Sequence, residues 1–298
     1  MKKKSSFLVL LLTNKMLHKF YLSLVLTFLC NSTLFAQNPA LQDSAQQLKY
    51  TFSQFGNETW DFIKQPTKWD GGDWLKIGLI SAATFLVMET ADQPARDIVL
   101  RDGRFDTNGL FIPESQKYYK SVPIEFGRMW GELYAPVVLF SGFALHSLIT
   151  DDIGTRKIAY EIGQASLYAG AVTFILKTAI GRARPYMEEG TTSFHPFSSF
   201  LVQDYHSIPG GHTTAAFVLS TVLSRNAKPV WLKVLAYVPA ALTFVSRVYQ
   251  DKHWASDDLF GGVLGYFIAT WVVDQHEKKE SLVEMSSIYP ISFRIALN

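Results

Sequence analysis

The chain has 298 residues and a formal net charge of +2, enough length for one large domain or for one medium domain with extensions. Hydrophobic residues make up 48% of it and charged residues only 18%, which excludes a disordered chain, although a chain made mainly of membrane spans would be more apolar still. The small net charge argues against nucleic acid as a partner, because no basic cluster is interleaved with aromatic residues. The single cysteine, Cys30, excludes a disulfide framework and a thiolate metal site within the chain.

The first 36 residues have the pattern of a secretion signal. Lysines at positions 2, 3 and 4 precede an apolar run from about Tyr21 to Phe35, and Ala36 offers a small residue for cleavage. The alternative is an uncleaved anchor helix, and in both cases we expect the chain to be exported. The next stretch, residues 37–74, is polar and is expected to be a surface-exposed lead-in with one amphipathic helix.

Six apolar segments follow, and we predict that they form one all-α, six-helix bundle over residues 75–275. The segments are Leu75–Met88, Tyr134–Thr150, Ala159–Ile180, His212–Ser224, Trp231–Ser246 and Asp258–Val273. A long polar connection separates the first segment from the second, and a charged tail, residues 276–298, follows the last.

The apolar runs are mostly shorter than the roughly 20 residues that cross a bilayer, although Leu133–Thr150 is just adequate. Lysines and arginines concentrate in the loops on one side, which is a positive-inside pattern. An exported N-terminus followed by six crossings would contradict that orientation. Either one segment does not cross, or the N-terminus is not translocated, or the bundle is not a full membrane domain. We expect membrane association, with a soluble periplasmic bundle as the alternative.

Two of the stretches between the apolar segments carry groups suited to an anion. Lys177 and Arg184 flank a glycine-containing turn after the third segment and could approach one anion together. Gly210 and Gly211 precede the fourth segment, where their backbone N–H groups and the helix dipole could contact an oxyanion beside His212. Each stretch also has an ordinary interpretation, namely a lysine at a helix C-terminus and a Pro-Gly turn.

A third stretch, Ser246–Asp257, joins the last two apolar segments. If a helix begins near Trp254, His253 and Asp257 lie one turn apart, and the carboxylate can accept a hydrogen bond from one ring nitrogen. Arg247 offers a planar fork of donors that suits phosphate. The ordinary interpretation is a charged loop with Asp257 at a helix start, and Trp254 is expected to pack beside His253.

All three stretches are predicted to lie at the same end of the helical bundle. Three loops would thus bring three cations, a pair of glycines, two histidines and one carboxylate to one face. No structural requirement explains this convergence, so we predict an anion-binding active site at that end.

In order and spacing the three stretches resemble the motifs of the type 2 phosphatidic acid phosphatase superfamily, which also includes bacterial acid phosphatases and vanadium haloperoxidases. The family pattern is a lysine, six residues and Arg-Pro, then Pro-Ser-Gly-His, then Ser-Arg, five residues, a histidine, three residues and an aspartate. The matching residues here are Lys177, Arg184-Pro185, Pro209-Gly210-Gly211-His212, Ser246-Arg247, His253 and Asp257. The chain departs from the pattern at Gly210, where the family has a serine that binds phosphate.

The resemblance implies a mechanism for these residues. His253 would be the nucleophile that forms a phosphohistidine, Asp257 would orient it, and His212 would protonate the leaving alkoxide and then activate water. The groups implied to hold the phosphate are Lys177, Arg184, Arg247, Gly210 and Gly211. Arg182 could help to screen the anion, although the pattern does not require it. No metal and no other cofactor is expected.

The expected function is a metal-independent phosphatase acting on a lipid phosphate or diphosphate at the inner membrane of a bacterial-type envelope, with its site facing the periplasm. The loop Tyr186–Tyr205, with Phe194, Phe197 and Phe200, is the candidate contact for the lipid tail. Three alternatives remain: a soluble periplasmic acid phosphatase, a vanadate-dependent haloperoxidase, and a phospholipid-binding protein without turnover because Gly210 replaces the serine.

Other polar residues near the motifs are given no catalytic role. We expect His195 and His206 at the surface or at the edge of the substrate site, and His146 packed in the core. Asp251 and Lys252 are expected to be solvated loop charges.

Overall fold

The structure is a computed structural model that describes residues 50–197 and 202–288, without the side chains of residues 280–288. The predicted signal at residues 1–36, including Cys30, lies outside the described residues. The described part is almost entirely helical, which confirms the all-α prediction. Its first helices are α1 (Phe52–Ile63), α2 (Gly71–Thr90), α3 (Asp92–Leu100), α4 (Val122–Trp130) and α5 (Tyr134–Thr150). The later helices are α6 (Ile153–Ile180), α7 (Gly211–Asn226), α8 (Val230–Leu235), α9 (Val238–Tyr249) and α10 (Ala255–Ile288).

Each of the six predicted apolar segments is helical. The fifth is divided into α8 and α9, because Pro239 stands in the first turn of α9 and cannot donate the hydrogen bond that would continue α8. Helices α1, α3 and α4 lie outside the six segments. A two-stranded antiparallel hairpin of β1 (Arg104–Phe105) and β2 (Phe111–Ile112) interrupts the long connection before α4.

Two helical stretches in the described part of the chain are long and apolar enough to cross a membrane: α2 and the α8–α9 pair, Val230–Tyr249. Helices α4 and α5 would add a third span if they are counted together, although they are bent by 67°. The first of these, α2, has little of its apolar surface covered by protein, and Leu79 and Phe85 are 61% and 59% exposed. Its apolar surface therefore suits a lipid environment.

The core lies where α6, α7 and α10 pack together, with Ile162, Leu219 and Val272 fully buried. Glycines in α10 let this helix approach the start of α7 closely. A Cβ on Gly261 would lie 2.5 Å from the carbonyl oxygen of Gly210, so a larger residue there would force the two helices apart. This close crossing fixes the first turn of α10 against the first turn of α7.

Candidate active site

The end of α6, the start of α7 and the junction of α9 and α10 lie at one end of the bundle, as predicted. Helix α6 ends because Gly181 adopts a left-handed conformation (φ 63°) and donates its N–H to the carbonyl of Lys177 at 2.9 Å. A Cβ at position 181 would lie 1.8 Å from the carbonyl oxygen of His195, so the turn requires glycine. The chain beyond it returns to α7 through the loop that contains Arg184.

The start of α7 lies beside the first predicted cation. Helix α7 has no side-chain cap, so the N–H groups of its first turn are suitably placed for an anion. A Cβ on Gly211 would lie 3.5 Å from Cε of Lys177. The N–H of Gly210 was expected to be available for phosphate, and this is wrong, because it donates to the carbonyl of Asp257 at 2.8 Å. This N–H group therefore joins the start of α7 to the start of α10 and is not available to a phosphate.

The ammonium group of Lys177 is held by the loop that precedes α7. Its Nζ donates to the carbonyl of His206 at 2.5 Å and lies 3.4 Å from that of Ser207. Burial and, after it, the positive charge of Arg184 lower the pKa of Lys177 to about 7. A bound anion would favour the charged form of this lysine.

The two predicted arginines belong to different parts of the chain, because Arg247 lies in the last turn of α9 and Arg184 in the loop after α6. Arg247 is 5% exposed, and although its Nη1 donates to Gln250 at 3.0 Å, its Nε has no hydrogen-bond partner among the described residues. Arg184 donates through Nε to the carbonyl of Gln203 at 2.9 Å and through Nη1 to that of Lys252 at 3.1 Å. Arg184 therefore sits directly beside the peptide that leads to His253.

His253 is almost completely buried, with 2% of its surface exposed. Burial is the largest cause that lowers its pKa well below the usual range, and the charges of Arg184, Lys177 and Arg247 act in the same direction. The three predicted cations are therefore close enough to act on the ring electrostatically. At neutral pH the imidazole is therefore uncharged, the state in which a ring nitrogen can act as a nucleophile.

The predicted hydrogen bond between His253 and Asp257 is not formed. Nδ1 of His253 lies 3.9 Å from Oδ2 of Asp257 and has no hydrogen-bond partner among the described residues. The carboxylate oxygen is already engaged, because Oδ2 accepts from Ser207 Oγ at 2.5 Å and from the N–H of Trp254 at 2.9 Å. Since α10 begins at Ala255, the bond to Trp254 caps the helix in the manner of a capping box.

The other oxygen of Asp257 accepts a hydrogen bond from Arg182, a residue to which the sequence assigned only an optional role. Arg182 is fully buried, with Nη1 2.6 Å from Asp257 and Nη2 2.8 Å from Asp92 of α3. Ser256 also contacts both Arg182 and Asp92. Arg182 therefore positions the carboxylate of the third motif, and its donors are engaged by protein groups rather than by a substrate anion.

His212, at the start of α7, is 27% exposed on its side chain, and its Nε2 lies 3.4 Å from Oε1 of Glu132. Burial is the largest effect on this histidine and lowers its pKa to about 4. Glu132 lies in the turn between α4 and α5 and also accepts from Arg128 at 2.8 Å. No sequence motif marks Glu132, because it comes from a part of the chain far from the three stretches.

The neighbouring histidines differ in their environments. His195 is exposed and contacts Glu189 at 2.8 Å, as expected for a surface residue. His206 is only 7% exposed, so a surface position is wrong for its side chain, although its carbonyl contacts Lys177 at the edge of the site. His146 is half-buried and lies 3.2 Å from Thr155.

The expectation that Asp251 is a solvated loop charge is wrong, whereas Lys252 is half-buried. Asp251 is 1% exposed and accepts from Nε of Arg96 at 2.9 Å, while Nζ of Lys252 lies 5.0 Å from the ring centroid of Tyr186. Helix α3, which supplies Arg96, covers this loop. Trp254 is buried and donates through Nε1 to a backbone carbonyl at 3.0 Å, so its predicted packing role is confirmed.

Comparisons with known proteins agree with this arrangement. Residues 161–281 match the model of the PAP2 superfamily. A lipid A 1-phosphatase of Porphyromonas gingivalis is 32% identical over 126 residues, which cover 41% of this chain and 24% of that protein. An undecaprenyl-diphosphatase of Sulfolobus acidocaldarius is 29% identical over 125 residues, which cover 39% of this chain and 53% of the relative.

A probable lipid phosphate phosphatase 4 of Arabidopsis thaliana is 28% identical over 137 residues, which cover 37% of this chain and 44% of the relative. The chain thus matches between 24% and 53% of the length of these relatives. No solved structure matches this chain. The matched residues contain all three motifs, so residues 161–281 are similar to the PAP2 superfamily.

Proposed function

We propose that this protein is a phosphatase that hydrolyses a lipid phosphate or diphosphate through a phosphohistidine at His253. The observation that carries the proposal is the buried imidazole of His253, which burial and the charges of Arg184, Lys177 and Arg247 keep uncharged at neutral pH. Three cations can neutralise the charge that a phosphoryl group carries in its transition state, while the imidazole supplies the nucleophile.

In the first step a ring nitrogen of His253 attacks phosphorus, and the bond from phosphorus to the ester oxygen breaks. His212 donates a proton to the leaving oxygen. Burial lowers its pKa to about 4, and the negative charge of a bound phosphate would raise it. The ring of His253 then carries the phosphoryl group and a positive charge, which the carboxylate of Asp257, 3.9 Å from Nδ1, stabilises.

In the second step water attacks the phosphorus of the phosphohistidine, and the bond between nitrogen and phosphorus breaks. His212, neutral after the first step, accepts the proton from that water. Inorganic phosphate leaves and His253 returns to its uncharged form. The same three cations hold the phosphoryl oxygens through both steps, so the protein need not rearrange between them.

The proposed substrate has a phosphate head and a lipid tail. The relatives named above are a lipid A 1-phosphatase, an undecaprenyl-diphosphatase and a probable lipid phosphate phosphatase. Phe194 and Phe197 are 40% and 81% exposed in the loop between the first two motifs, and Phe200 lies outside the described residues. We propose that this loop contacts the lipid tail and that the site faces the periplasm at the inner membrane.

The test is phosphate release by the purified protein in detergent with EDTA, against phosphatidate, a polyprenyl diphosphate, lipid A and a soluble aryl phosphate. We expect release from at least one lipid substrate, and loss of it by at least about 1,000-fold in His253→Ala, because the nucleophile is gone. His146→Ala is the matched control, since His146 contacts Thr155 near the C-terminal end of α5, away from the three motifs, and it should keep its rate within about twofold.

Each other outcome has a distinct meaning. Equal rates for the wild type and His253→Ala would contradict the histidine mechanism. Turnover of the aryl phosphate alone by a protein that fractionates as soluble would favour the acid phosphatase. Phosphate binding without any release would favour a phospholipid-binding protein.

A further inference from the structure

Gly210 has no side chain. The carboxyl group of Asp258, which belongs to another helix, occupies the space where a side chain at position 210 would lie. A Cβ built on Gly210 would lie 2.0 Å from Oδ1 of Asp258 and 3.1 Å from its Cγ. These distances are far below van der Waals contact, so the side chain of Asp258 occupies the volume that a residue at position 210 would use. Asp258 belongs to the first turn of α10, next to Asp257.

The surroundings of this carboxyl group are unusual for an acidic residue. Asp258 is fully buried, its Oδ1 accepts from Thr213 Oγ1 at 2.7 Å, and its Oδ2 has no hydrogen-bond partner among the described residues. The charged groups that act on it electrostatically are Asp257 on its own helix, Lys177 of α6 and Arg247 of α9. Asp258 thus lies among the groups assigned to the phosphate, with one oxygen unused.

An ionised carboxylate with an unsatisfied oxygen is costly in a buried position, whereas a neutral carboxylic acid is far less so. Burial raises the pKa of Asp258 well above its usual range, and the adjacent Asp257 adds to this effect. Lys177 and Arg247 act in the opposite direction but do not cancel it. The neutral acid carries an O–H, which is a hydrogen-bond donor.

We propose that Asp258, as a neutral carboxylic acid, is a phosphate-binding residue that donates a hydrogen bond from Oδ2 to a phosphate oxygen in place of the side chain that Gly210 lacks. The proposal rests on the phosphate site of the proposed function and adds a residue to it. A serine at position 210 would displace the side chain of Asp258 from its present position, so Gly210 and Asp258 act as a matched pair.

The experiment measures the affinity for orthovanadate, a phosphate mimic, by isothermal titration calorimetry of the purified full chain in detergent. Asp258→Ala removes the donor and should weaken binding by about 10- to 100-fold, as expected for a lost hydrogen bond to a charged group. Asp258→Asn keeps an N–H donor of similar shape and should stay within about threefold of the wild type.

The matched pair is tested by adding a serine. Gly210→Ser alone should bind poorly or fail to fold, because its Cβ overlaps Asp258. The double variant Gly210→Ser with Asp258→Ala should recover at least about tenfold of the affinity lost in Asp258→Ala, since the hydroxyl again supplies a donor. If Asp258 had only a structural role, a hydroxyl group at position 210 would not restore the affinity for vanadate.

Equal or tighter vanadate binding by folded Asp258→Ala, or no recovery in a folded double variant, would overturn the proposal. Failure of the wild type to bind vanadate would overturn it too. Because the measurement is binding, it separates this proposal from the proposed function: wild-type protein that binds vanadate but releases no phosphate contradicts only the latter.

Discussion

Arg182 lies with no exposed surface between Asp92 and Asp257, and its hydrogen bonds hold the carboxylate of the third motif in place. Replacing Arg182 with Ala would leave two buried carboxylates without their cation. We expect the free energy of unfolding to fall by roughly 3–5 kcal/mol, the usual cost of breaking a buried pair from one side. Thermal unfolding in detergent measures the change.

Arg225→Ala is the control for that substitution. Arg225 also bonds two carboxylates, Asp274 and Glu277, but all three side chains are at least one-third exposed. Its loss should cost no more than about 1 kcal/mol. Equal destabilisation by the two substitutions would contradict the role of Arg182 as the buried cation that holds Asp92 and Asp257.

The pKa values of Lys177 and His253 predict a pH profile for kcat/KM that lies on the acidic side. Burial lowers the pKa of His253 well below 6.5, so the nucleophile stays uncharged when the pH falls to that range. Lys177, with a pKa lowered to about 7, loses its charge above that pH and binds phosphate less well. Activity should therefore decline above about pH 7 and persist below pH 6.5.

Lys177→Arg tests whether Lys177 causes the decline in activity above about pH 7, which is the alkaline limb of the profile. A guanidinium stays charged at every pH of the assay. The limb should move to higher pH in this variant even if the maximal rate falls. An alkaline limb at the same pH in both proteins would assign it to another group.

Spacing within the chain predicted which residues form the site but not which partners they have. His253, His212 and the three cations come together as the motifs indicated, because each motif lies at a helix end on the same side of the bundle. The partner of Arg182 in α3 is separated from it by 90 residues, and that of Asp251 by 155. Such partners depend on how distant helices pack, which local patterns do not encode.

Among the helices, the length of an apolar run was the sequence feature that predicted a helix reliably. All six apolar segments are helical, whereas α3 and α4 are missed because each has only nine residues and lies in a polar connection. The proline that divides the fifth segment was visible in the sequence, but a proline in an apolar run is compatible with a kink as well as with a break.

Helix α2 gives a test of membrane association. Leu79 is 61% exposed near the middle of this helix, and a lysine there would cost about 2.5–3.5 kcal/mol in the centre of a bilayer. Leu79→Lys should therefore increase the fraction of protein extracted from membranes by alkaline carbonate. Leu110→Lys is the control, because Leu110 is 50% exposed in the hairpin outside every candidate span. Equal extraction of the two variants would contradict a lipid-facing α2.

Across the whole described molecule, the two ends of the bundle have different roles. At the end with the three motifs, Lys177, Arg184 and Arg247 form no ion pair with a described carboxylate, which suits an anionic substrate. The opposite end has its charges paired internally, with His276 between Glu58 and Glu161 at 3.3 Å and 3.1 Å. Glu58 belongs to α1, so these contacts fasten the lead-in helix to the end of the bundle opposite the motifs.

The central claim is that His253 carries the phosphoryl group, and trapping that intermediate tests it most directly. An aryl phosphate is used with His212→Ala, because a good leaving group needs no acid while the second step still needs the base. After a rapid alkaline quench, mass spectrometry of the peptides should find a phosphoryl group on His253, and none in His253→Ala. Continued phosphate release without any phosphoryl group on His253 would contradict the account.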